Sequence, residues 1–245
     1  WSRRRQRQMC IRDSFYNEEN CLKESVERLT VENIFNKILL IDNNSIDNSL
    51  VIAKKLEKEY SIVQVEQTSN AKGKGVAIQY SKDFIDTSHV VIHDADLEYF
   101  PKDIVEMYDL AKNNPSSFIL GSRLIGNKIR KNIYPRARWA NQFLSFLFSL
   151  VFNIKVSDIA SCYKLIPSDF IKNTKLKENG FTIDLELITK FVKTGNKVLE
   201  VPIMYEGRSY EEGKKIKTID FFRYIYNIIR YRFVDWWLNY KNIGK

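Results

Sequence analysis

Three acidic residues at alternate positions, Asp94, Asp96 and Glu98, lie in the stretch HVVIHDADLEYFP, directly after a short apolar run. In an extended segment the side chains i, i+2 and i+4 point the same way, so these carboxylates converge if the chain stays extended. Carboxylates so close together repel one another unless a cation lies between them. Oxygen ligands without Cys or His favour Mg²⁺ or Mn²⁺ over zinc. The alternative is that the acids only begin the helix that follows Pro101.

A glycine-lysine segment, NAKGKGVAIQ at residues 70–79, contains residue types that bind phosphate. Gly73 and Gly75 permit a close approach of the backbone, and Lys72 and Lys74 add positive charge at the start of a helix. The spacing matches neither a P-loop nor a dinucleotide-binding fingerprint. A surface turn with solvated lysines is therefore the alternative.

A second basic segment, YEGRSYEEGKKIK at residues 205–217, follows a predicted strand. It combines Arg208 with Lys214, Lys215 and Lys217. An arginine can bind a phosphate through two parallel hydrogen bonds, and a glycine-containing loop can close over a diphosphate. The alternative is an exposed charged loop without a ligand.

Alternating helical and strand patterns between residues 18 and 122 predict the elements that position these groups. Strands are predicted at 37–42, 61–67, 89–94 and 118–122, and helices at 18–29, 49–60, 73–84 and 101–113. This alternation indicates βαβ units and a mostly parallel, doubly wound α/β sheet. Such sheets bind ligands beyond the carboxyl ends of their strands, so Asp42 and Asp94 are expected at one edge. His93 is out of phase with the acids, which predicts a packing or hydrogen-bonding role.

The second half of the chain has a different pattern. Helices are predicted at 136–153, 184–195 and about 218–240, with a short segment at 158–167 and a strand at 197–207. The run FLSFLFSLVF at 143–152 is too short to cross a bilayer. The stretch at 221–240 mixes arginine with aromatic residues, which is typical of helices that lie at a membrane surface. Packing against the sheet or against a partner is the alternative.

The chain is basic, with 39 Lys and Arg against 30 Asp and Glu and a net charge of +9. This charge suits partners that carry phosphate, including nucleic acid, nucleotides and an anionic membrane surface. No zinc-finger or recognition-helix pattern supports nucleic-acid binding. The three cysteines lack CxxC spacing, which predicts neither a disulfide framework nor a zinc site and suits a reducing, cytoplasmic setting. Part of the positive charge lies in five arginines near the start: Arg3, Arg4, Arg5, Arg7 and Arg12.

Taken in order, these segments resemble the family 2 inverting glycosyltransferases with a GT-A fold, in the branch that transfers sugars to dolichyl or polyprenyl phosphate. The resemblance runs from about residue 15 to 232 and is carried by FYNEEN, LIDNNSIDNS, NAKGKGVAIQ, HDADLEYFPKDI, LGSR, SDIASCYKLIP, GFTIDLELITK and EVPIMYEGRSYEEGKKI. It implies transfer of a hexose from a nucleotide-diphosphate sugar, of the UDP-glucose or GDP-mannose type, with inversion at C1. It also implies an Mg²⁺ or Mn²⁺ cofactor and a location on the cytoplasmic face of a membrane.

The resemblance also implies residue roles. The expected donor contacts are Tyr16, Glu18, Asp42, Lys74, Asp94, Arg123 and Lys214. The expected metal ligands are Asp94, Asp96 and Glu98, and the expected catalytic residues are Asp96, Asp158, Glu186 and Arg208. Arg208 would grip phosphate together with Lys214 or Lys215, and Arg123 would face the donor phosphates or the acceptor. For Asp158 and Glu186 the alternative is that each only caps or stabilises a helix.

The start of the chain departs from the family pattern. RRRQRQMCIRDS stands where a buried apolar strand is expected, and no proline precedes Tyr16. We therefore expect residues 1–14 to be foreign to the family or disordered, with a first strand that is missing or improvised. The transferase domain is expected at 15–217, followed by a basic-aromatic helix at 218–245. A soluble glycan or a cell-surface polysaccharide is the alternative acceptor, and a hydroxyl acceptor would require a carboxylate base.

Overall fold

The computed structural model describes residues 9–69, 73–208 and 218–243 of the chain. The strands are β1 (Met9–Phe15), β2 (Lys37–Asp42), β3 (Val63–Gln67), β4 (His89–His93), β5 (Phe118–Ser122), β6 (Arg130–Lys131), β7 (Lys164–Pro167), β8 (Val198–Pro202) and β9 (Tyr205–Glu206). The helices are α1 (Leu22–Val31), α2 (Ser49–Glu59), α3 (Lys74–Tyr80), α4 (Lys102–Asn113), α5 (Pro135–Phe152), α6 (Ser168–Asn173), α7 (Ile183–Val192) and α8 (Thr218–Ile243). A 3₁₀ turn at Ser81–Phe84 follows α3 directly.

The predicted α/β class with a mostly parallel sheet is confirmed. Within the described ranges, seven strands form one sheet in the order β3-β2-β1-β4-β7-β5-β8, while β6 pairs with β9 in a separate small sheet. In the large sheet only β7 runs antiparallel to its neighbours β4 and β5. Every residue of β4 and β5 is buried, which explains the apolar runs Val90–Ile92 and Phe118–Leu120 that these strands contain.

Strand β1 occupies the centre of the sheet, between β2 and β4. Its first three residues, Met9, Cys10 and Ile11, are fully buried. The expectation of a missing first strand is therefore wrong for residues 9–15, because this short apolar run pairs in parallel with a strand on each side. An improvised strand, formed by residues foreign to the family, stays a prediction. The predicted boundary at residue 15 falls on the last residue of β1. The foreign origin of residues 1–14 stays a prediction, and residues 1–8 lie outside the described ranges.

Replacing Ile11 with Ala is expected to lower the free energy of unfolding by about 2–5 kcal/mol, because it leaves a cavity in a central strand. Urea denaturation measures the change. The control is Val31→Ala, since Val31 is 74% exposed at the end of α1. This control is expected to stay within about 0.5 kcal/mol of the unaltered protein. A similarly small effect of Ile11→Ala would contradict the central position of β1.

Helices α5 and α8 coincide with the two aromatic stretches of the sequence and pack against each other. The rings of Phe143 and Phe221 lie 6.1 Å apart, centroid to centroid. Away from this contact, each helix carries a stripe of exposed apolar side chains: Trp139, Phe146 and Leu150 on α5, and Ile219, Phe222, Tyr226, Ile229 and Phe233 on α8. Among the residues that the structure describes, no helix combines the length and the apolar character that a membrane span requires.

Candidate active site

The loops that follow β1 and β2 are joined to each other at the carboxyl edge of the sheet. The backbone amide of Asn17 donates to Ser45 Oγ at 3.1 Å, and the amide of Ile46 donates back to Asn17 Oδ1 at 2.9 Å. The amide of Glu18 donates to Ser49 Oγ at 2.8 Å. These bonds hold the YNE segment against the loop after β2, at the edge where the sequence predicts the donor site.

Asp42 ends β2 and is fully buried at this edge. Its Oδ1 accepts the backbone amide of Ser45 at 3.0 Å, and its Oδ2 accepts the side-chain amide of Gln67 at 2.8 Å. Tyr16 lies partly exposed at the end of β1, the neighbouring strand. The structure thus places Tyr16 and Asp42, two of the predicted donor contacts, on adjoining strand ends. The two hydrogen bonds fix the Asp42 carboxylate in one orientation.

Lys74 forms the centre of a buried chain of charges. Its Nζ lies 3.0 Å from Asp94 Oδ2 and 3.2 Å from Asp184 Oδ2. The second oxygen of Asp184 lies 3.1 Å from Lys164 Nζ. Burial alone would lower the pKa of Lys74, but the charges of Asp184 and Asp94 raise that pKa well above its usual range. Lys74 is therefore a fixed cation beside the first acid of the DADLE segment.

The DADLE segment does not stay extended, which was the condition for its three carboxylates to converge. The chain turns after Asp94, Leu97 adopts a left-handed φ of 61°, and the amide of Glu98 donates to Asp96 Oδ1 at 3.2 Å. Glu98 instead accepts bonds from the hydroxyl of Tyr205 at 2.7 Å and the amide of Arg208 at 2.8 Å. Within the described ranges no group of three His, Cys, Asp or Glu residues is spaced to hold a metal. The predicted convergence of three carboxylates is therefore not found.

Asp96 is the acid of this segment whose negative charge is most strongly disfavoured by its surroundings. Burial, together with the nearby charges of Asp94 and Glu98, raises the pKa of Asp96 well above its usual range, although Arg208 opposes the effect. In Asp94, by contrast, the charge of Lys74 outweighs burial and lowers the pKa. Two carboxylates two residues apart thus differ in their environments: one has a lysine partner and the other is crowded by acids.

Arg208 connects the end of β9 to the loop after β1. Its Nη2 lies 2.7 Å from Glu18 Oε2, and its Nε donates to the backbone carbonyl of Asp96 at 3.0 Å. The same Nη2 lies 3.4 Å from Cys21 Sγ. The structure thus brings together Glu18, Asp96 and Arg208, which the sequence assigns to one site. The other predicted phosphate-binding lysines lie outside the described residues: Lys72, Lys214, Lys215 and Lys217.

Asp158 has a different place from the one predicted. It is fully buried, and its carboxylate accepts Arg123 Nε at 2.7 Å, Arg123 Nη2 at 2.8 Å and the Arg123 amide at 3.0 Å. Burial would raise the pKa of Asp158, but the charge and hydrogen bonds of Arg123 lower it. The guanidinium lies 5.1 Å from the ring centroid of Tyr205. Asp158, which the resemblance assigns as a catalytic residue, therefore positions Arg123 from a buried place.

Glu186, another expected catalytic residue, is bound by the segment that precedes α7 and by Lys190. Its buried carboxylate accepts the backbone amides of Lys177 at 2.9 Å and Glu178 at 2.8 Å, and it pairs with Lys190 at 2.6 Å. The alternative left open by the sequence, a stabilising role, describes this geometry. Glu186 fixes the segment before α7, and Asp184 is the acid of that helix that reaches Lys74.

His93 is neutral and structural, in keeping with the hydrogen-bonding role that the sequence predicts. Its Nε2 lies 3.1 Å from Ser25 Oγ and its Nδ1 lies 3.1 Å from the hydroxyl of Tyr163. Burial lowers the pKa of His93 to about 4. The imidazole therefore packs beneath the site without a charge.

The architecture and this set of residues match a known family. A model of glycosyl transferase family 2 matches residues 14–174, about two thirds of the chain. The chain belongs to glycosyltransferase family 2. The family predicted from the ordered motifs is confirmed.

Two relatives of this family 2 glycosyltransferase have names that include dolichol phosphate or dolichyl phosphate. It is 27% identical over 226 residues to a dolichol-phosphate mannosyltransferase of Pyrococcus furiosus, with 88% of this chain and 62% of that protein covered. It is 24% identical over 231 residues to a UDP-N-acetylglucosamine–dolichyl-phosphate N-acetylglucosaminyltransferase of Methanococcus voltae, with 87% and 92% covered. The chain thus spans less than two thirds of the Pyrococcus protein and nearly all of the Methanococcus protein.

Solved structures of similar fold include glucosyl-3-phosphoglycerate synthase of Mycobacterium tuberculosis. Its complex with UDP superposes with a TM-score of 0.70 at 12% identity, covering 92% of this chain and 80% of that one. Its complex with Mn²⁺, UDP and glucosyl-3-phosphoglycerate has a TM-score of 0.65 at 13% identity, with 84% and 74% covered. At these identities the likeness shows the fold alone, and that fold is the predicted GT-A type.

The family motifs do not predict two residues that lie at the site, Asp184 and Lys164. Residues two apart on a helix point about 200° apart, so only one of Asp184 and Glu186 can face Lys74. Lys164 could have been found because it begins the otherwise apolar strand KLIP. A lysine buried in such a strand needs an anionic partner. Their pairing depends on how α7 packs against β7, which no local pattern encodes.

The glycines of the GKG turn also serve a purpose different from the predicted one. A Cβ on Gly75 would lie 2.0 Å from the carbonyl oxygen of Glu178, and one on Gly73 would lie 2.3 Å from that of Asn179. Gly73 also has a φ of 125°, which disfavours other residues. The close approach predicted for a phosphate is therefore made by the backbone of the protein itself.

Proposed function

We propose that the chain transfers a hexose from a nucleotide-diphosphate sugar to a polyprenyl or dolichyl phosphate, with inversion at C1. The proposal rests on the ion pair between Lys74 and Asp94 at the carboxyl end of β4. Asp96, whose pKa is raised by burial and by the neighbouring acids, lies two residues further on. Cations suited to phosphate and acids suited to a divalent ion thus share one edge of a nucleotide-binding type of sheet. The relatives named for dolichyl-phosphate acceptors support this choice of acceptor.

Asp94 and Asp96 fit a divalent cation. Mg²⁺ in nucleotide enzymes commonly takes one or two carboxylates and completes its shell with water and substrate phosphates, so a third protein acid is not needed. The acid crowding that raises the pKa of Asp96 is relieved by a nearby cation. The similar synthase that was solved with Mn²⁺ and UDP supports this choice of metal. When bound, the cation supplies positive charge to the departing diphosphate.

The chain's own residues contribute positioning and charge. Lys74 and Arg208 place positive charge beside the acids. Arg123 is a third cation, and Asp158 holds its guanidinium in a fixed orientation. Fixed cations that stabilise a leaving diphosphate and hold the reactants in line account for large rate enhancements. A lipid phosphate is already an anion near neutral pH, so it needs no strong base. The lowered pKa of Asp158 makes that residue a poor base for a hydroxyl acceptor.

The test is incubation of the full chain with labelled UDP-glucose, UDP-N-acetylglucosamine or GDP-mannose, with polyprenyl phosphate, and with Mn²⁺ or a chelator. Label is expected in the organic phase after lipid extraction, and only when both polyprenyl phosphate and the metal are present. Label on an added soluble glycan, with none in the organic phase, would select the alternative acceptor. Binding of RNA without binding of any nucleotide sugar would reject the transferase proposal.

We also propose that the exposed apolar stripes of α5 and α8 rest on the cytoplasmic face of the membrane that holds the acceptor. The two helices pack side by side, so their stripes present Trp139, Phe146 and Phe222 to the outside. The exposed Arg136 and Arg232 add positive charge on the same helices. Aromatic side chains together with arginines are the combination that binds an interface with anionic headgroups.

Replacing both Phe146 and Leu150 with Ser is expected to lower binding to vesicles of phosphatidylcholine and phosphatidylglycerol at least about tenfold, because burial of each side chain contributes about 1.5–3 kcal/mol. Sedimentation with the vesicles measures the bound fraction. The control is Val51→Ser, because Val51 is an exposed apolar residue on α2, away from the stripes. Equal binding by the double variant and the control would contradict this membrane surface.

A further inference from the structure

Residues 177–180, which precede α7, contact three separate helices. The amides of Lys177 and Glu178 are held by Glu186 of α7, as described above. The carbonyl oxygens of Glu178 and Asn179 face α3, and the Glu178 side chain reaches α8. This segment, named here the α3–α8 connector, is therefore a physical link between the C-terminal helix and the turn that carries Lys74.

The contact between the connector and α3 leaves no free space. The amide of Gly75 donates to the carbonyl of Asn179 at 2.9 Å, and Gln79 Nε2 donates to the carbonyl of Glu178 at 3.2 Å. The two glycines that flank Lys74 lie so close to these carbonyls that a methyl group would not fit. Movement of the connector toward α3 must therefore displace the backbone on both sides of Lys74, and movement away from α3 breaks the hydrogen bonds from Gly75 and Gln79.

The contact between the connector and α8 is an ion pair with added hydrogen bonds. Glu178 Oε1 accepts Arg230 Nη2 at 2.8 Å and the Tyr231 hydroxyl at 3.0 Å. Glu178 Oε2 accepts the hydroxyl of Thr182 at 2.6 Å. Directly after the connector, the Tyr224 hydroxyl donates to the carbonyl of Phe181 at 3.2 Å. The Glu178 carboxylate belongs to the connector and is bound by two residues of α8. The position of α8 and the position of the connector therefore depend on each other.

We infer that Glu178 is a positioning residue for Lys74. Its pair with Arg230 seats α8 against the connector, and the connector fixes the Gly73–Gly75 turn so that Lys74 lies between Asp94 and Asp184. The inference rests on the proposed function for the role of Lys74 at the donor diphosphate. Donor affinity then depends on the seating of α8, the helix that the proposed function places on the membrane.

The link between α8 and α3 is tested first without any nucleotide. Arg230→Gln and Arg223→Gln remove the same charge from the same helix, but Arg223 is 63% exposed and pairs with Asp220 at 3.2 Å. Amide hydrogen exchange of the peptide that contains Gly75 is expected to become about tenfold faster in Arg230→Gln, since the lost bonds involve charged groups. Exchange in Arg223→Gln is expected to match the unaltered protein. Unchanged exchange in Arg230→Gln would overturn the inference.

The effect on the donor site is tested by the Kd of UDP and of GDP with Mn²⁺, measured without lipid. Arg230→Gln is expected to weaken binding about fivefold to tenfold, and Arg230→Lys, which retains the charge, is expected to restore most of it. In a Lys74→Met background, Arg230→Gln is expected to add less than about twofold, because residues that act through one contact are not additive. Full additivity, or an unchanged Kd with faster exchange, would overturn the positioning role.

Two further outcomes are distinguishable. If the unaltered protein binds neither UDP nor GDP, the proposed function fails, while the exchange comparison still decides whether α8 holds the connector. If Arg230→Gln does not fold, Glu178→Gln provides the same comparison, because it removes the charge and keeps an acceptor for Tyr231 or Thr182. Unchanged Gly75 exchange in Glu178→Gln would also overturn the inference.

Discussion

Replacement of Asp96 with Asn is expected to lower the rate of sugar transfer at least about 10²-fold, the loss seen when one group that stabilises a transition-state charge is removed. Asn has the shape of Asp but lacks the negative charge that would hold a divalent cation at the diphosphate. The labelled-lipid assay measures the rate. Retention of full activity would reject Asp96 as a metal ligand.

Two measurements show that this loss reflects chemistry and not unfolding. A group whose pKa is raised in the folded state stabilises the fold at low pH and loses that contribution as pH rises, so ionised Asp96 costs stability at neutral pH. Asp96→Asn is therefore expected to unfold thermally at the same temperature as the unaltered protein or higher. The matched control is Asp86→Asn, because the Asp86 side chain is 70% exposed and pairs with Lys37 at 3.6 Å. Its activity is expected to stay within about twofold, as for other surface changes.

Strands β2, β3, β4, β5 and β8 could be predicted from the sequence because each carries its own apolar run. Strand β1 was not predicted, and the antiparallel β7 lies in a segment that the sequence did not assign as a strand. Residues 1–14 together are strongly basic, but β1 contributes the buried apolar residues Met9, Cys10, Ile11 and Phe15 to the core. The strands on either side supply backbone partners for the rest of β1, so flanking charge does not prevent the central position.

The composition of the site could be predicted in part. Residues that follow strands, such as Asp42 and Asp94, were placed by the geometry of a parallel sheet. The turn at Leu97 was not, because a left-handed conformation at a leucine is unfavourable and is imposed by surrounding contacts. The partners of Asp158 and Asp184 depend on packing between elements that are distant in sequence. Pairing of buried charges is a tertiary property, so a motif gives the charged residue and not its partner.

Replacement of Asp158 with Asn is expected to lower the free energy of unfolding by about 3–5 kcal/mol at neutral pH, because it leaves the guanidinium of Arg123 buried without an anion. The pKa of Asp158 is lower in the folded state than its ordinary value of 3.8. Its stabilising contribution is therefore present above that value and is lost as pH falls through the lowered pKa. Urea denaturation is expected to show a large difference between the two proteins near pH 7 and a smaller one near pH 2.

The control and a double variant decide whether the cost comes from the unpaired charge. Asp109→Asn breaks an exposed pair with Lys112 and is expected to cost less than about 1 kcal/mol. Arg123→Met combined with Asp158→Leu removes both charges, and buried pairs replaced by apolar residues commonly lose little stability. The double variant is therefore expected to be more stable than Asp158→Asn, yet inactive in transfer because Arg123 is absent. A double variant as unstable as Asp158→Asn would show that shape, and not charge, determines this contact.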